Sequence, residues 1–145
     1  MFLGRYSHSL DPKGRLAIPA RFREQLPTGS VVTVGPDGAL RVYPPREWDE
    51  VVSVHRLSAA TTPTERNLAR RLFAEAHELE FDAQGRVLIP ARLREAAGIS
   101  GTAVISGANN VVEIWSEESW GALEAATADF TRLADEVANQ RSGTS

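Results

Sequence analysis

The chain repeats itself, and the repeat limits what it can fold into. Residues 11–23 read DPKGRLAIPARFR and residues 82–94 read DAQGRVLIPARLR. At an offset of 71, Asp11 matches Asp82, Gly14 matches Gly85 and Arg15 matches Arg86, and the run Ile18 to Arg21 matches Ile89 to Arg92. One inserted residue shifts the offset to 72, which pairs Gly29 with Gly101, Gly35 with Gly107, Tyr43 with Trp115 and Trp48 with Trp120. A solenoid needs about three or more repeats to bury its faces. Two copies of a unit of about seventy residues instead predict an internal pseudo-dimer whose halves share one core.

Each copy reads mostly as β. Phe2–Leu10 is a candidate strand. In Asp11-Pro12-Lys13-Gly14-Arg15 the proline fixes φ and Gly14 permits positive φ, which is turn chemistry. Arg15–Ile18 then reads as a short strand, and Pro19 suits the first position of a helix that continues over Ala20–Leu26. In the second copy Gly98 is placed to end the matching helix. Val31–Val34 and Leu40–Tyr43 flank a Gly/Pro/Asp/Gly turn, and Ala103–Ser106 and Val111–Trp115 flank a Gly/Ala/Asn/Asn turn, so each copy carries a hairpin. Helices are expected to begin near Arg46 and Ser119, the second running on over Glu118–Asn139. Between the copies, Thr62-Pro63-Thr64-Glu65 is a capping-box helix start, followed by Leu68, Leu72 and Ala76 on one face with Phe73 beside them. These readings divide the chain into a half-domain at 1–50, a helical linker at 51–76, a second half-domain at 77–121, a C-terminal helix at 122–139 and a polar tail at 140–145 expected to fray.

Composition sets outer bounds. Apolar residues make up 42% of the chain, enough for a core, and the absence of cysteine excludes disulfides and thiol nucleophiles and suits a reducing cytoplasm. No segment reads as a signal peptide or a membrane span. His8, His55 and His77 are scattered without metal-ligand spacing, so no metal site is expected. The glycines form no phosphate-cradling motif. Asp11, Lys13 and His8 have no nucleophile or pocket assigned to them, so neither catalysis, a cofactor nor a small-molecule substrate is expected.

The pattern D-x-K-G-R-L-x-I-P-A-x-F-R resembles the SpoVT/AbrB DNA-binding fold. Two such units in one chain, behind an N-terminus reading M-F-L-G-x-Y, resemble the MraZ family over nearly the whole length. The resemblance implies an α+β, β-rich fold: tandem AbrB-like swapped-hairpin half-domains that form a pseudo-two-fold barrel with flanking helices. It also implies a cytoplasmic, nucleoid-associated regulator that assembles into a ring-like homo-oligomer. Such a regulator would bind short repeated sites in double-stranded promoter DNA upstream of its own division and cell-wall operon.

Whole-chain charge, −3 at neutral pH, does not announce a nucleic-acid partner. Local charge does. Residues 5–23 hold Arg5, Lys13, Arg15, Arg21 and Arg23 against Asp11 alone, a balance of +4. Residues 78–94 hold Arg86, Arg92 and Arg94 against Glu78, Glu80 and Asp82, a balance of zero. Phosphate attraction scales with the cations in contact, so the first copy is the better DNA face. Arg15 is assigned as chief reader of base edges, because the planar guanidinium can take both acceptors of a guanine. Lys13, Arg5, Arg21 and Arg23 are assigned as phosphate clamps or secondary readers, and Arg86 as a weaker contact. Asp11, Gly14, Asp82 and Gly85 are assigned to supporting the turns. Trp48, Trp115, Trp120, Tyr43 and Phe22 are assigned to core packing, and the basic Arg66, Arg70 and Arg71 to a solvated face or a subunit contact. The reading that competes with DNA binding is a protein-interaction scaffold on the same fold, suggested by the neutral second copy and the acidic total charge.

Overall fold

The computed structural model describes residues 1–143. The first copy lays down β1 (Arg5–Ser9), β2 (Arg15–Ala17), α1 (Ala20–Arg23), the hairpin β3 (Val31–Val34) and β4 (Leu40–Tyr43), and α2 (Pro45–Val54). Helix α3 (Pro63–Ala74) leads into the second copy. That copy comprises β5 (His77–Glu78), β6 (Arg86–Leu88), α4 (Ala91–Ala97), β7 (Thr102–Gly107), β8 (Val112–Ser116) and α5 (Glu117–Ala126), and α6 (Phe130–Ser142) closes the chain.

The copies are interleaved. Six strands form one antiparallel sheet in the order β1-β7-β8-β4-β3-β5, so the first strand of each copy pairs with the hairpin of the other. The two hairpins meet at the centre, where β4 pairs with β8 and Arg41 lies opposite Glu113, its own repeat equivalent. A separate ladder joins β2 to β6, with Leu16 opposite its equivalent Val87. Both self-pairings mark one pseudo-two-fold axis. Among the described residues β1 and β5 are the edges of this sheet, which does not itself close into the expected barrel; single bridges, Leu10 with Leu16 and Phe81 with Val87, tie its two ends to the β2–β6 ladder. Strand β5 pairs over only two residues, Val31 with Glu78 and Val32 with His77.

Strand alternation gives the sheet two faces. Val32, Leu40, Val42, Ala103, Ile105, Val112 and Ile114 point to one side, where they join Leu16, Ile18, Phe22, Val87, Ile89 and Leu93 in a single core drawn from both copies. Thr33, Arg41, Tyr43, Glu113 and Trp115 point to the other side, toward α2, α3 and α5. There Thr33 donates its hydroxyl hydrogen bond to the Leu72 carbonyl at 2.6 Å.

Several helix ends differ from the sequence expectation. Pro19 is the N-cap of α1 rather than its first residue. Helix α1 stops at Arg23 instead of Leu26, its continuation tightened into turns in which Gln25 and Leu26 donate to Phe22 and Arg23. Pro27 disfavours helical backbone at the residue before it. The equivalent α4 lacks such a proline and runs to Gly98 in the left-handed conformation at φ 66. The expected long C-terminal helix is two helices. Asp129 caps the second by accepting from the Arg132 backbone, while Thr127 turns its hydroxyl back onto Leu123. The tail expected to fray from Gln140 is helical to Ser142, and Thr144 and Ser145 lie outside the described residues. On α3 the Thr62 hydroxyl accepts from the Glu65 backbone and donates to its carboxylate. The buried face of that helix is Ala69 and Leu72, whereas Leu68 is exposed.

Candidate nucleic-acid interface

The two Asp-x-x-x-Arg turns are built alike. Asp11 Oδ1 accepts from the backbone N–H groups of Lys13 and Arg15, both at 2.9 Å, and Oδ2 accepts from Arg15 Nε at 2.6 Å. Asp82 repeats this with the N–H groups of Gln84 and Arg86 and with Arg86 Nε, all at 2.9 Å. A carboxylate two or four residues ahead of a donor can close such a turn only if the chain reverses between them, and Gly14 at φ 83 and Gly85 at φ 75 supply the reversal.

The β2–β6 ladder sets the two turns side by side. Beyond its paired residues, Ile18 donates to the Gly85 carbonyl and Ile89 to the Gly14 carbonyl. Arg86 Nη1 reaches across to Asp11 Oδ2 at 3.3 Å. Asp11, Arg15, Asp82 and Arg86 therefore form one cluster, and it is not symmetric. Arg86 ties two carboxylates together. Arg15 is bound to Asp11 through Nε alone, which leaves both terminal nitrogens of its 34% exposed side chain without a protein partner among the described residues.

The remaining basic residues divide. Lys13 and Arg21 are exposed, and among the described residues their side-chain cations have no partner. Arg23 lies against the second copy's turn rather than its own: a methyl placed on Gly85 would overlap its guanidinium. Its Nε is buried without a hydrogen-bond partner. In mirror fashion Arg94 covers Gly14, where an added Cβ would sit 2.8 Å from Cζ, while its Nε donates to the Ile89 carbonyl at 2.9 Å. Each turn is thus backed by an arginine from the other copy. Sequence reasoning left Arg94 out of the site, although the repeat maps it directly onto Arg23. Arg5 stands apart from the cluster, paired with Glu124 of α5 at 3.1 Å in an exposed ion pair.

The hydrogen bonds hold both turn carboxylates below the usual range. For Asp11 and Asp82 the largest cause is the backbone N–H of Arg15 and Arg86 respectively, opposed by partial desolvation and reinforced by the arginine side chains. Glu75 is lowered chiefly by hydrogen bonding to Arg92. A carboxylate depressed on folding stabilises the fold above its ordinary pKa and loses that contribution as pH falls through the folded value. Stability should therefore fall below about pH 4 as these groups protonate. In urea unfolding, the loss between pH 7 and pH 3 should be smaller for Asp11→Asn than for the unmodified chain; an equal loss would show that the turn contributes nothing to acid sensitivity.

Among the described residues, no group of three or more His, Asp or Glu side chains is placed to hold a metal ion, and no helix is long and apolar enough to cross a membrane.

The chain matches the family model described as "MraZ protein, putative antitoxin-like" twice, over residues 1–71 and 72–141. It is 43% identical to the transcriptional regulator MraZ of Thermomicrobium roseum over 139 residues, 95% of this chain and 98% of that protein. It is 45% identical to the transcriptional regulator MraZ of Roseiflexus castenholzii over 143 residues, 97% of this chain and 99% of that protein. It is 43% identical to the protein of the same name from Thermobifida fusca over 138 residues, 94% of this chain and 96% of that protein.

Proposed function

The chain belongs to the MraZ family, and from that membership we propose that it is a transcriptional regulator that binds double-stranded promoter DNA sequence-specifically. It acts without catalysis, in the cytoplasm on the nucleoid, upstream of its own division and cell-wall operon. The two half-domains at 1–50 and 77–121 form one reading unit, joined by the linker at 51–76.

The observation that carries the reading is the asymmetric pairing of the two turns. Arg15 offers free terminal donors from a held stem, which is what bidentate readout of a base edge requires. Lys13 on the same turn and Arg21 on α1 are free cations and take phosphates, with Arg5 and Arg23 as secondary contacts. Arg86 contributes less because two carboxylates already hold it. A carboxylate facing phosphate would repel it, so Asp11 and Asp82 serve the turns, together with Gly14 and Gly85.

One chain presents few cations, and isolated exposed contacts are weak. A ring-like homo-oligomer placing several copies on repeated short sites would raise the effective concentration of each contact. Fluorescence anisotropy with the DNA upstream of the gene tests this. Tighter binding than to scrambled DNA is expected, growing steeply with the number of repeats, with log affinity falling against log salt by about 0.9 per phosphate contact. Equal affinity for both DNAs overturns the proposal.

A further inference from the structure

On the sheet face opposite the turns, the two copies are finished differently. In the second copy Trp115, Trp120 and Leu123 close over Val104 and Ala39 in a packed apolar cluster. The repeat equivalents in the first copy are Tyr43, Trp48 and Val51. There Trp48 meets Tyr43 much as Trp120 meets Trp115, with ring centres 5.6 Å apart, and in addition meets Phe73 of α3 edge-on at 5.7 Å. The smaller Val51 stands where the second copy has Leu123. Beside it a cleft opens between α2, α3 and the sheet.

Three adjoining cavities make up this cleft, and His55 lines all of them. The one floored by β3 and β4 has a volume of about 280 Å³. Its walls are apolar at Val34, Val51, Leu68 and Leu72, and its charged groups are Arg41 and Arg71 with no carboxylate, whereas Glu47, Glu50 and Glu65 line the two adjoining cavities. Each arginine has a partner elsewhere: Arg41 Nη2 donates to Glu113 at 3.0 Å, and Arg71 Nη1 to Glu75 at 3.3 Å. A guanidinium carries five donors, so most remain. Arg41 Nε is buried with no partner, the kind of orphan donor that calls for an explanation. Burial works against the charge on Arg41, but hydrogen bonding to Glu113 and to Tyr43 outweighs it and keeps the group protonated.

We propose that this cleft binds a small aliphatic carboxylate, its hydrocarbon against Val51, Leu68 and Leu72 and its carboxylate between Arg41 and Arg71. Apolar walls with a few convergent polar groups are the usual make-up of a ligand site, and the volume, just below the range for drug-sized ligands, suits a small one. Within the cavity floored by β3 and β4, where the charged groups are Arg41 and Arg71 alone, charge complementarity selects the anion, and the glutamates of the adjoining cavities confine it there. The cleft sits on the sheet face turned away from the Asp-x-x-x-Arg turns, so the proposal stands or falls independently of DNA binding.

Isothermal titration calorimetry on the full chain, with hexanoate, hexanol and hexylammonium as probes, tests it. Hexanoate should give saturable heat. Hexanol should bind about tenfold more weakly or worse, since a charge-assisted hydrogen bond is replaced by a neutral one, and hexylammonium should not bind. Arg71 is exposed, so Arg71→Met should fold normally and weaken hexanoate about tenfold while leaving hexanol unchanged. Val51→Trp, which fills the cleft as Leu123 and its neighbours fill the other copy, should abolish binding of both. No saturable heat with hexanoate, equal binding of all three probes, or hexanoate binding unchanged in both variants overturns the proposal.

Discussion

Arg15→Ala should abolish preference for upstream over scrambled DNA, while Arg86→Ala should reduce affinity only mildly. The two residues are repeat equivalents on equivalent turns, so sequence position alone predicts equal effects. The difference lies in their hydrogen bonds. Arg86 donates to Asp82 through Nε and to Asp11 through Nη1, so a base edge would have to compete with two carboxylates for it. The Arg15 side chain donates to Asp11 through Nε alone, which fixes the plane of the guanidinium and leaves its outer edge available. A good bidentate contact to a base discriminates by about 1–3 kcal/mol, or roughly five- to 150-fold in affinity at a single site. An oligomer on repeated sites compounds that factor at every occupied repeat. Lys13→Ala is the contrast: it should weaken both DNAs alike and lower the salt slope by about 0.9. Anisotropy across a salt series separates the three variants. If Arg15→Ala and Arg86→Ala both leave specific binding intact, the turns are scaffolding and the protein-interaction reading replaces the regulator.

The sequence made the repeat, both hairpins and both turns legible because each rests on local chemistry. Val31–Val34 and Leu40–Tyr43 alternate between glycine-bearing turns, and the strands begin and end at those residues. Pairing between the copies was not legible. Nothing in the residues of β1 says that it pairs with β7 rather than with its own hairpin, because the choice is made by how the two halves close over one core. The break between α5 and α6 carries one local signal, Asp129, a residue type suited to capping the helix that follows. The placement of Arg23 over the other copy's glycine depends on the β2–β6 ladder, which local charge counting cannot see. The asymmetry between Arg15 and Arg86 had a weak trace in the neutral balance of the second copy. Its physical cause, one carboxylate shared between two turns, is a tertiary fact.

Phe22→Ala should destabilise the whole chain by about 3–5 kcal/mol, the usual range for removing a buried ring, and should do so in both copies at once. Phe22 is 1% exposed, and its ring meets those of Phe2 and Tyr6 edge-on, both with centres 5.4 Å apart. Those partners belong to the N-terminal segment and to β1, which is hydrogen-bonded to β7 of the second copy. The same core cluster includes Val87, Ile89, Leu93 and Ile105 from that copy, so a cavity at Phe22 opens beneath both halves. Domain stabilities run at about 5–15 kcal/mol, which makes the loss a large share of the total. For a chain of this size each kcal/mol moves Tm by roughly 2–4 °C, so Tm should drop by about 10 °C, compared at equal protein concentration because assembly would add to stability. In a Trp48→Phe background, near-ultraviolet circular dichroism in the tryptophan band follows the Trp115 and Trp120 pair of the second copy, whose ring centres are 5.7 Å apart. Its signal should be lost in the same transition as the far-ultraviolet signal and at the same lowered temperature. A tryptophan transition left at the original temperature while the rest of the chain melts early would mean two independent halves, and the interleaved core would then not be the unit that folds.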